Sequence, residues 1–229
     1  MARVVRERFT HPGRVREARP TDGRLSTVGH GEAFRAFCKA ADRMGVRFLV
    51  IGGTYRDALV RAMSTRDIDV VLVDRDSLSR EVMAEEGFRP VEGFPFSWHY
   101  LRGGKPVEVQ VGAVASSRAA KGPFSTALAH AEEATIEGRK VLVPRIEDYV
   151  ILKLLAVEAD PRRSYRDLGD VQMVLEAFPE LRSTRLSVQA IRARLRDPFG
   201  IPGPRLRAHT ARFRAVHRVA AKPGEWSWG

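Results

Sequence analysis

Residues Val50–Leu72 read VIGGTYRDALVRAMSTRDIDVVL. An apolar run ends in Gly52-Gly53, a helix-like segment follows, and a second apolar run opens with Asp67 and Asp69 one residue apart. Side chains alternate along a strand, so Asp67 and Asp69 share one face while Ile68 and Val70 take the other. Two carboxylates about 7 Å apart on one face repel each other and resist burial. A purely structural strand gains nothing from them. A divalent cation resolves the conflict, and hard oxygen ligands suit Mg²⁺ or Mn²⁺ with water and substrate phosphates completing the shell. The glycine pair fits the same chemistry. It ends a strand and starts a helix, where bare backbone can approach a phosphate and the helix N-terminus offers N–H groups. Arg56 lies one turn into that helix, with Arg61 and Arg66 close behind as further cations for phosphate.

Around this stretch the chain reads as an α/β (α+β) front half followed by a helical back half. Residues 1–28 form a basic arm, poor in apolar residues. Periodicity predicts a helix over Glu32–Met44, a strand over Arg47–Ile51, a helix over Thr54–Met63 and a strand over Asp67–Val73. Asp76 is placed to cap a helix that runs to Glu86 and closes at Gly87. Pro95–Leu101 and Pro106–Val114 flank Gly103-Gly104 as a hairpin, and a second hairpin turns at Gly138 within Ala134–Val143. A helix is expected at Phe124–Glu133 between them. Helices then follow at Ile146–Glu158, Tyr165–Ala177, Leu186–Arg196 and Arg205–Ala221. The division that results is an arm (1–28), an α/β core (29–145) and a helical region (146–229).

Bulk numbers narrow the function classes. The 229 residues are 44% hydrophobic and 29% charged, enough for a core without staples. One cysteine, Cys38, excludes an internal disulfide framework and a cysteine zinc cluster, and its helical setting makes it a core residue. The N-terminus has no apolar stretch of the secretory type, and no window reaches the about 18 apolar residues of a membrane span. A cytoplasmic, membrane-free setting is the expectation. The net charge of +11 suits a polyanionic partner, or simply reflects an arginine-rich composition. The segment 205–221 carries Arg205, Arg207, Arg212, Arg214 and Arg218 with Leu206, Phe213 and Val216 as apolar anchors. His99 stands between Trp98 and Tyr100, where it could line a base pocket but reads more readily as packing.

Two further residues carry arguments of their own. Glu108 in KPVEVQV shares a strand face with Gln110, while Val107, Val109 and Val111 take the other. By itself that pattern is an exposed charge on a half-buried strand. Lys153 falls in the apolar stripe Ile146, Tyr149, Val150, Lys153, Val157, where a cation is costly unless paired or facing a cleft. Asp167 and Asp170 on the next helix are its candidate partners. Lys153 either serves a substrate or forms a structural bridge.

With GGTYRDALV and TRDIDVV in place, the sequence resembles the nucleotidyltransferase superfamily of polymerase-beta-like fold. That family is marked by a glycine turn, a helix, a D-x-D strand and a third carboxylate on a later strand. The head looks like that of class II CCA-adding enzymes, which carry GG-x-x-R-D. It is also similar to stand-alone AbiE and MenA-type toxin nucleotidyltransferases, whose R-x-[ST]-x-D-[IL]-D is approximated by Arg61–Asp69. VLVPRIEDYVILKLLAVEADPRRSYRDLGDVQMVLE (141–176) resembles the toxin pattern, and the likeness spans about residues 45 to 176.

The resemblance implies a mixed sheet and transfer of a nucleoside monophosphate from an NTP to an acceptor hydroxyl. RNA, with the tRNA 3′ end first, is the expected acceptor, in a toxin with an antitoxin partner. An aminoglycoside-type small molecule, a protein hydroxyl, or a non-catalytic nucleotide- or RNA-binding role are the alternatives. It implies Asp67, Asp69 and Glu108 at the metal, with Glu108 departing from the family's aspartate. It implies Gly52, Gly53, Thr54, Arg56, Arg66, Lys153, Asp167 and Asp170 at the nucleotide. Base choice and oligomeric state are not specified by these residues.

Overall fold

A computed structural model describes residues 23–63, 65, 67–72, 78–102, 104–113 and 122–221. The chain divides into two compact units. One is Met1–Ala120 with Leu128–Pro144; the other is Lys121–Ala127 with Arg145–Gly229.

The first unit holds a seven-stranded mixed sheet in the order β3-β4-β5-β2-β1-β7-β6. Its strands are β1 (Phe48–Val50), β2 (Asp67–Leu72), β3 (Phe88–Val91), β4 (Phe94–Tyr100), β5 (Val107–Ala113), β6 (Glu132–Ile136) and β7 (Arg139–Val143). β2 runs parallel to β5 and β1 parallel to β7, while the other pairs are antiparallel. One face is apolar: Phe48, Val50, Ile68, Val70, Leu72, Trp98, Tyr100, Val107, Val109 and Val111 are all buried. Helix α1 (Val28–Met44) serves this layer with Phe34, Phe37, Cys38 and Ala41, and the Phe37 ring meets Phe48 edge-on at 5.1 Å. Each such large side chain contributes ~1.5–3 kcal/mol by leaving water. Burial pushes the Cys38 thiol up to about 12, in keeping with a core residue. Tyr100 keeps its hydroxyl satisfied by donating to Glu32 at 2.9 Å.

Several boundaries differ from expectation for local reasons. α1 begins at Val28, and the preceding Gly23–Thr27 is not part of a loose arm. Gly23 and Leu25 are buried, and the Glu137 N–H donates to the Gly23 carbonyl at 2.8 Å. α2 (Gly52–Leu59) starts at the glycines and ends four residues before Met63, because the Asp57 carboxylate takes the Met63 N–H at 2.7 Å. Asp76 lies outside the described residues. Helix α3 (Arg80–Glu85) is capped by Ser79, whose hydroxyl accepts from Val82 N. β3 was not expected from the sequence. It contains Pro90 and is the edge of the sheet, where a missing N–H is tolerated. α4 (Pro123–Ala129) stops early because Glu132 and Glu133 join β6.

The second unit is built on α5 (Ile146–Ala159), α6 (Ser164–Ala177), α7 (Val188–Arg196) and α8 (Gly203–Ala220). Among the described residues, no helix is long and apolar enough to cross a membrane.

Candidate functional site

β2 delivers Asp67 and Asp69 to the face opposite the apolar layer, both half-buried. Register extends that face across three strands. Asp67 pairs with Glu108 on β5, which pairs with His99 on β4; Asp69 pairs with Gln110, which pairs with Ser97. Partners in a ladder point to the same side. One polar surface thus presents two rows, Asp67–Glu108–His99 and Asp69–Gln110–Ser97. Glu108 stands beside Asp67 in the ladder. His99 does not pack in the core; it is half-exposed on this polar face. The alternation Ser97–Trp98–His99–Tyr100 held that signal, since Trp98 and Tyr100 claim the apolar side.

The glycine pair is fitted to Asp69. The Gly53 N–H donates to Asp69 Oδ2 at 2.8 Å. Gly52 has φ of +59°, and a Cβ there would lie 2.1 Å from Asp69 Oδ2. A Cβ on Gly53 would lie 2.4 Å from Thr65 Oγ1. More bonds tie β2 to α2 and to the residues flanking that helix. Ile51 N donates to Asp69 O at 3.0 Å, Asp69 N donates to Thr54 Oγ1 at 3.0 Å, and Thr65 Oγ1 donates to Asp67 O at 2.9 Å. The positive end of α2 thus faces a carboxylate, an arrangement worth ~0.3–1 kcal/mol at a helix N-terminus.

This geometry revises several nucleotide-binding expectations. The Gly53 N–H is directed at Asp69 rather than at a phosphate. Thr54 is fully buried, with its hydroxyl engaged by the β2 backbone. Arg56 is only 5% exposed and donates to the Met63 carbonyl at 3.4 Å. Side chains buried in this way frame the site and do not reach a solute from their present positions. Arg66 lies outside the described residues. Asp57, the last residue of the GG-x-x-R-D stretch and given no role from the sequence, is buried with three hydrogen bonds.

Among the described residues, no three His, Cys, Asp or Glu side chains gather as a metal-binding group. Glu108 therefore does not close a three-carboxylate cage as placed. The pair Asp67 and Asp69 fits Mg²⁺ or Mn²⁺ in another way. Mg²⁺ is commonly held by one or two carboxylates, with waters and phosphates as its other ligands. The close backbone approach at Gly52-Gly53 fixes one of those two carboxylates.

In the second unit, Lys153 is 6% exposed and Asp167 and Asp170 are essentially inaccessible. The ammonium donates to Asp167 Oδ1 at 3.0 Å and lies 2.6 Å from Asp170 Oδ2, with the Tyr149 ring centroid at 5.7 Å. Both acids hold the lysine, where either one would have met the expectation, and the half-exposed Arg163 lies 3.7 Å from Asp167 Oδ2. Their burial makes Asp167 and Asp170 supports of Lys153 rather than nucleotide contacts. Other arginines are also committed internally. Arg185 grips Glu147 through two bonds at 2.6 and 2.7 Å, and Arg194 grips the fully buried Asp148. Arg205 holds the Glu158 carboxyl down to about 2, and His209 also touches that carboxylate. On α8, Arg207, Arg214 and Arg218 remain exposed.

No family model matches the sequence, and no curated protein matches it significantly. Among solved structures, the chain is similar to an antigenic nucleotidyltransferase-like protein from Paracoccidioides brasiliensis. That likeness has a TM-score of 0.51 and 19% identity over 84% of this chain and 95% of the other. Two further structures are ANT(2")-Ia in complex with adenylyl-2"-tobramycin (TM-score 0.49, 17% identity, 82% and 98% coverage) and a CCA-adding enzyme with CTP (0.37, 16%, 96% and 55%). The first likeness shows the fold, an α/β nucleotidyltransferase fold of the polymerase-beta-like type.

Two variants test this construction. Gly52→Ala should lose about 1–3 kcal/mol of stability in urea unfolding, through positive φ and the collision with Asp69. Gly45→Ala is the control, because its φ is +65° with nothing within 4 Å of the added Cβ; it should cost about 1 kcal/mol. Equal losses would remove the fitted contact from the account. Lys153→Met should cost about 3–5 kcal/mol by leaving two buried carboxylates without their cation. A loss under about 1 kcal/mol would show the cluster to be solvated.

Proposed function

We propose that this chain is a metal-dependent nucleotidyltransferase. The observation that carries the reading is the carboxylate pair Asp67/Asp69 on one strand face, with Asp69 gripped by the Gly53 N–H and no room for a side chain at Gly52. Asp67 and Asp69 would hold Mg²⁺ or Mn²⁺, which supplies neutralisation of charge on the phosphates and the departing pyrophosphate. The acceptor hydroxyl oxygen bonds to the α-phosphorus of an NTP. The bond from that phosphorus to the bridging oxygen breaks, and pyrophosphate leaves. Glu108, beside Asp67 in the ladder, takes the hydroxyl proton.

RNA is the first acceptor to test, with the tRNA 3′ end foremost because of the toxin-like pattern; an antitoxin partner belongs to the same reading. The charge of +11 and the exposed Arg207, Arg214 and Arg218 support it. A second reading has its own support. The two polar rows contain three acids and no lysine or arginine, which suits a small polycationic acceptor of the aminoglycoside type.

The test incubates the protein with each α-labelled NTP, Mg²⁺, and either total tRNA or an aminoglycoside set. Transfer to one acceptor class is expected, falling by at least about a hundredfold in Asp67→Ala/Asp69→Ala. NTP binding without transfer to RNA, small molecule or protein, and indifferent to the double substitution, would establish a non-catalytic role.

A further inference from the structure

Asp57 is wholly buried, and both of its oxygens are in use. Oδ1 accepts from Met63 N at 2.7 Å; Oδ2 accepts from Ser26 N at 2.9 Å and from the Ser26 hydroxyl at 3.0 Å. The two donor sets belong to segments far apart in sequence, and each continues into something specific.

On one side, Met63 opens the segment that enters β2. Its N–H goes to Asp57 and its carbonyl accepts from Arg56, so two consecutive α2 residues hold both of its backbone polar groups. Two residues later Thr65, also buried, donates to Asp67 O and occupies the space a Gly53 side chain would need. Asp69 N then donates to Thr54 of the same helix. The approach to the carboxylate pair is therefore bonded to α2 at residues 63, 67 and 69, with Thr65 packed against Gly53 between them.

On the other side, Ser26 belongs to Gly23–Thr27. That strap is seated on the β6–β7 turn, where Leu25 N donates to Glu137 Oε1 at 2.7 Å and Glu137 N donates to Gly23 O at 2.8 Å. Gly23 has φ of +80°, and a Cβ there would lie 2.3 Å from the Thr135 carbonyl oxygen. The strap has one seat, and leaving it withdraws Ser26 from Asp57.

We propose that Asp57 is a positioning residue, one buried carboxylate that couples the seating of the Gly23–Thr27 strap to the placement of Asp67 and Asp69. It acts through Met63 and Thr65 and touches neither substrate nor metal. Burying a carboxylate is costly, and the donors on both oxygens make it tolerable only while both segments are in place. The proposal rests on the metal-site reading for its functional consequence, while the mechanical coupling stands on the hydrogen bonds alone.

Asp57→Asn keeps the shape but offers a single acceptor oxygen, so its NH2 must face either the Met63 N–H or the Ser26 N–H, both donors. Ser26→Ala removes only the hydroxyl bond and serves if Asp57→Asn does not fold. The full chain is compared by backbone amide exchange and by Mn²⁺ titration. Expected in Asp57→Asn are exchange about tenfold faster at Met63 and at Asp69, and Mn²⁺ affinity about fivefold weaker. Ser26→Ala should move both in the same direction by about twofold. Faster exchange at Met63 with unchanged exchange at Asp69 and unchanged Mn²⁺ affinity would overturn the coupling. A wild-type chain that binds no Mn²⁺ even with NTP would instead sink the metal reading, and exchange at Asp69 would still decide the coupling.

Discussion

One hydrogen bond organises the first unit: the Gly53 N–H to the Asp69 carboxylate. It requires the backbone at 52–53 to come within contact of a side chain on the neighbouring strand; a Cβ on Gly52 would close that space, and one on Gly53 would strike Thr65. It also requires α2 to begin where β1 ends, so that a helix N-terminus meets the carboxylate. Thr54, Thr65 and Asp57 then hold the intervening segment so that β2 enters at a fixed register. From that register follow the parallel pairing with β5 and the polar rows that reach Glu108 and His99.

Much of this was legible from the sequence because the signals were periodic or steric. Alternation put Asp67 and Asp69 together and set Ile68, Val70 and Leu72 in the core. The same rule put Glu108 opposite Val107 and Val109, and register placed it beside Asp67. What was not legible depended on tertiary partners. Nothing local says that the Gly53 N–H serves Asp69 rather than a phosphate, that Thr54 faces the β2 backbone, or that Arg56 turns to Met63. His99 was misread because its aromatic neighbours suggested a core, although alternation separates it from them. Residues 23–27 looked like the end of a basic arm because their anchors, Glu137 and Asp57, lie far along the chain. β3 was not legible because edge position is a property of the whole sheet.

The charge balance also changes meaning in three dimensions. Arg185, Arg194 and Arg205 are tied to Glu147, Asp148 and Glu158, and Lys153 is tied to two aspartates. These cations hold the second unit together and are not available to a polyanion. The surface argument for RNA rests instead on the exposed arginines of α8. The polar face of the first unit is acidic, so the acceptor question sets a basic helix in one unit against a carboxylate-lined sheet face in the other.

The most direct test of the central claim is crystallographic. Crystals grown with Mn²⁺ and a non-hydrolysable NTP analogue should show an anomalous manganese peak coordinated by Asp67 and Asp69 at about 2.2 Å, with the Gly53 N–H still on Asp69. Nucleotide bound with manganese elsewhere, or with the two carboxylates turned away from it, would contradict the account.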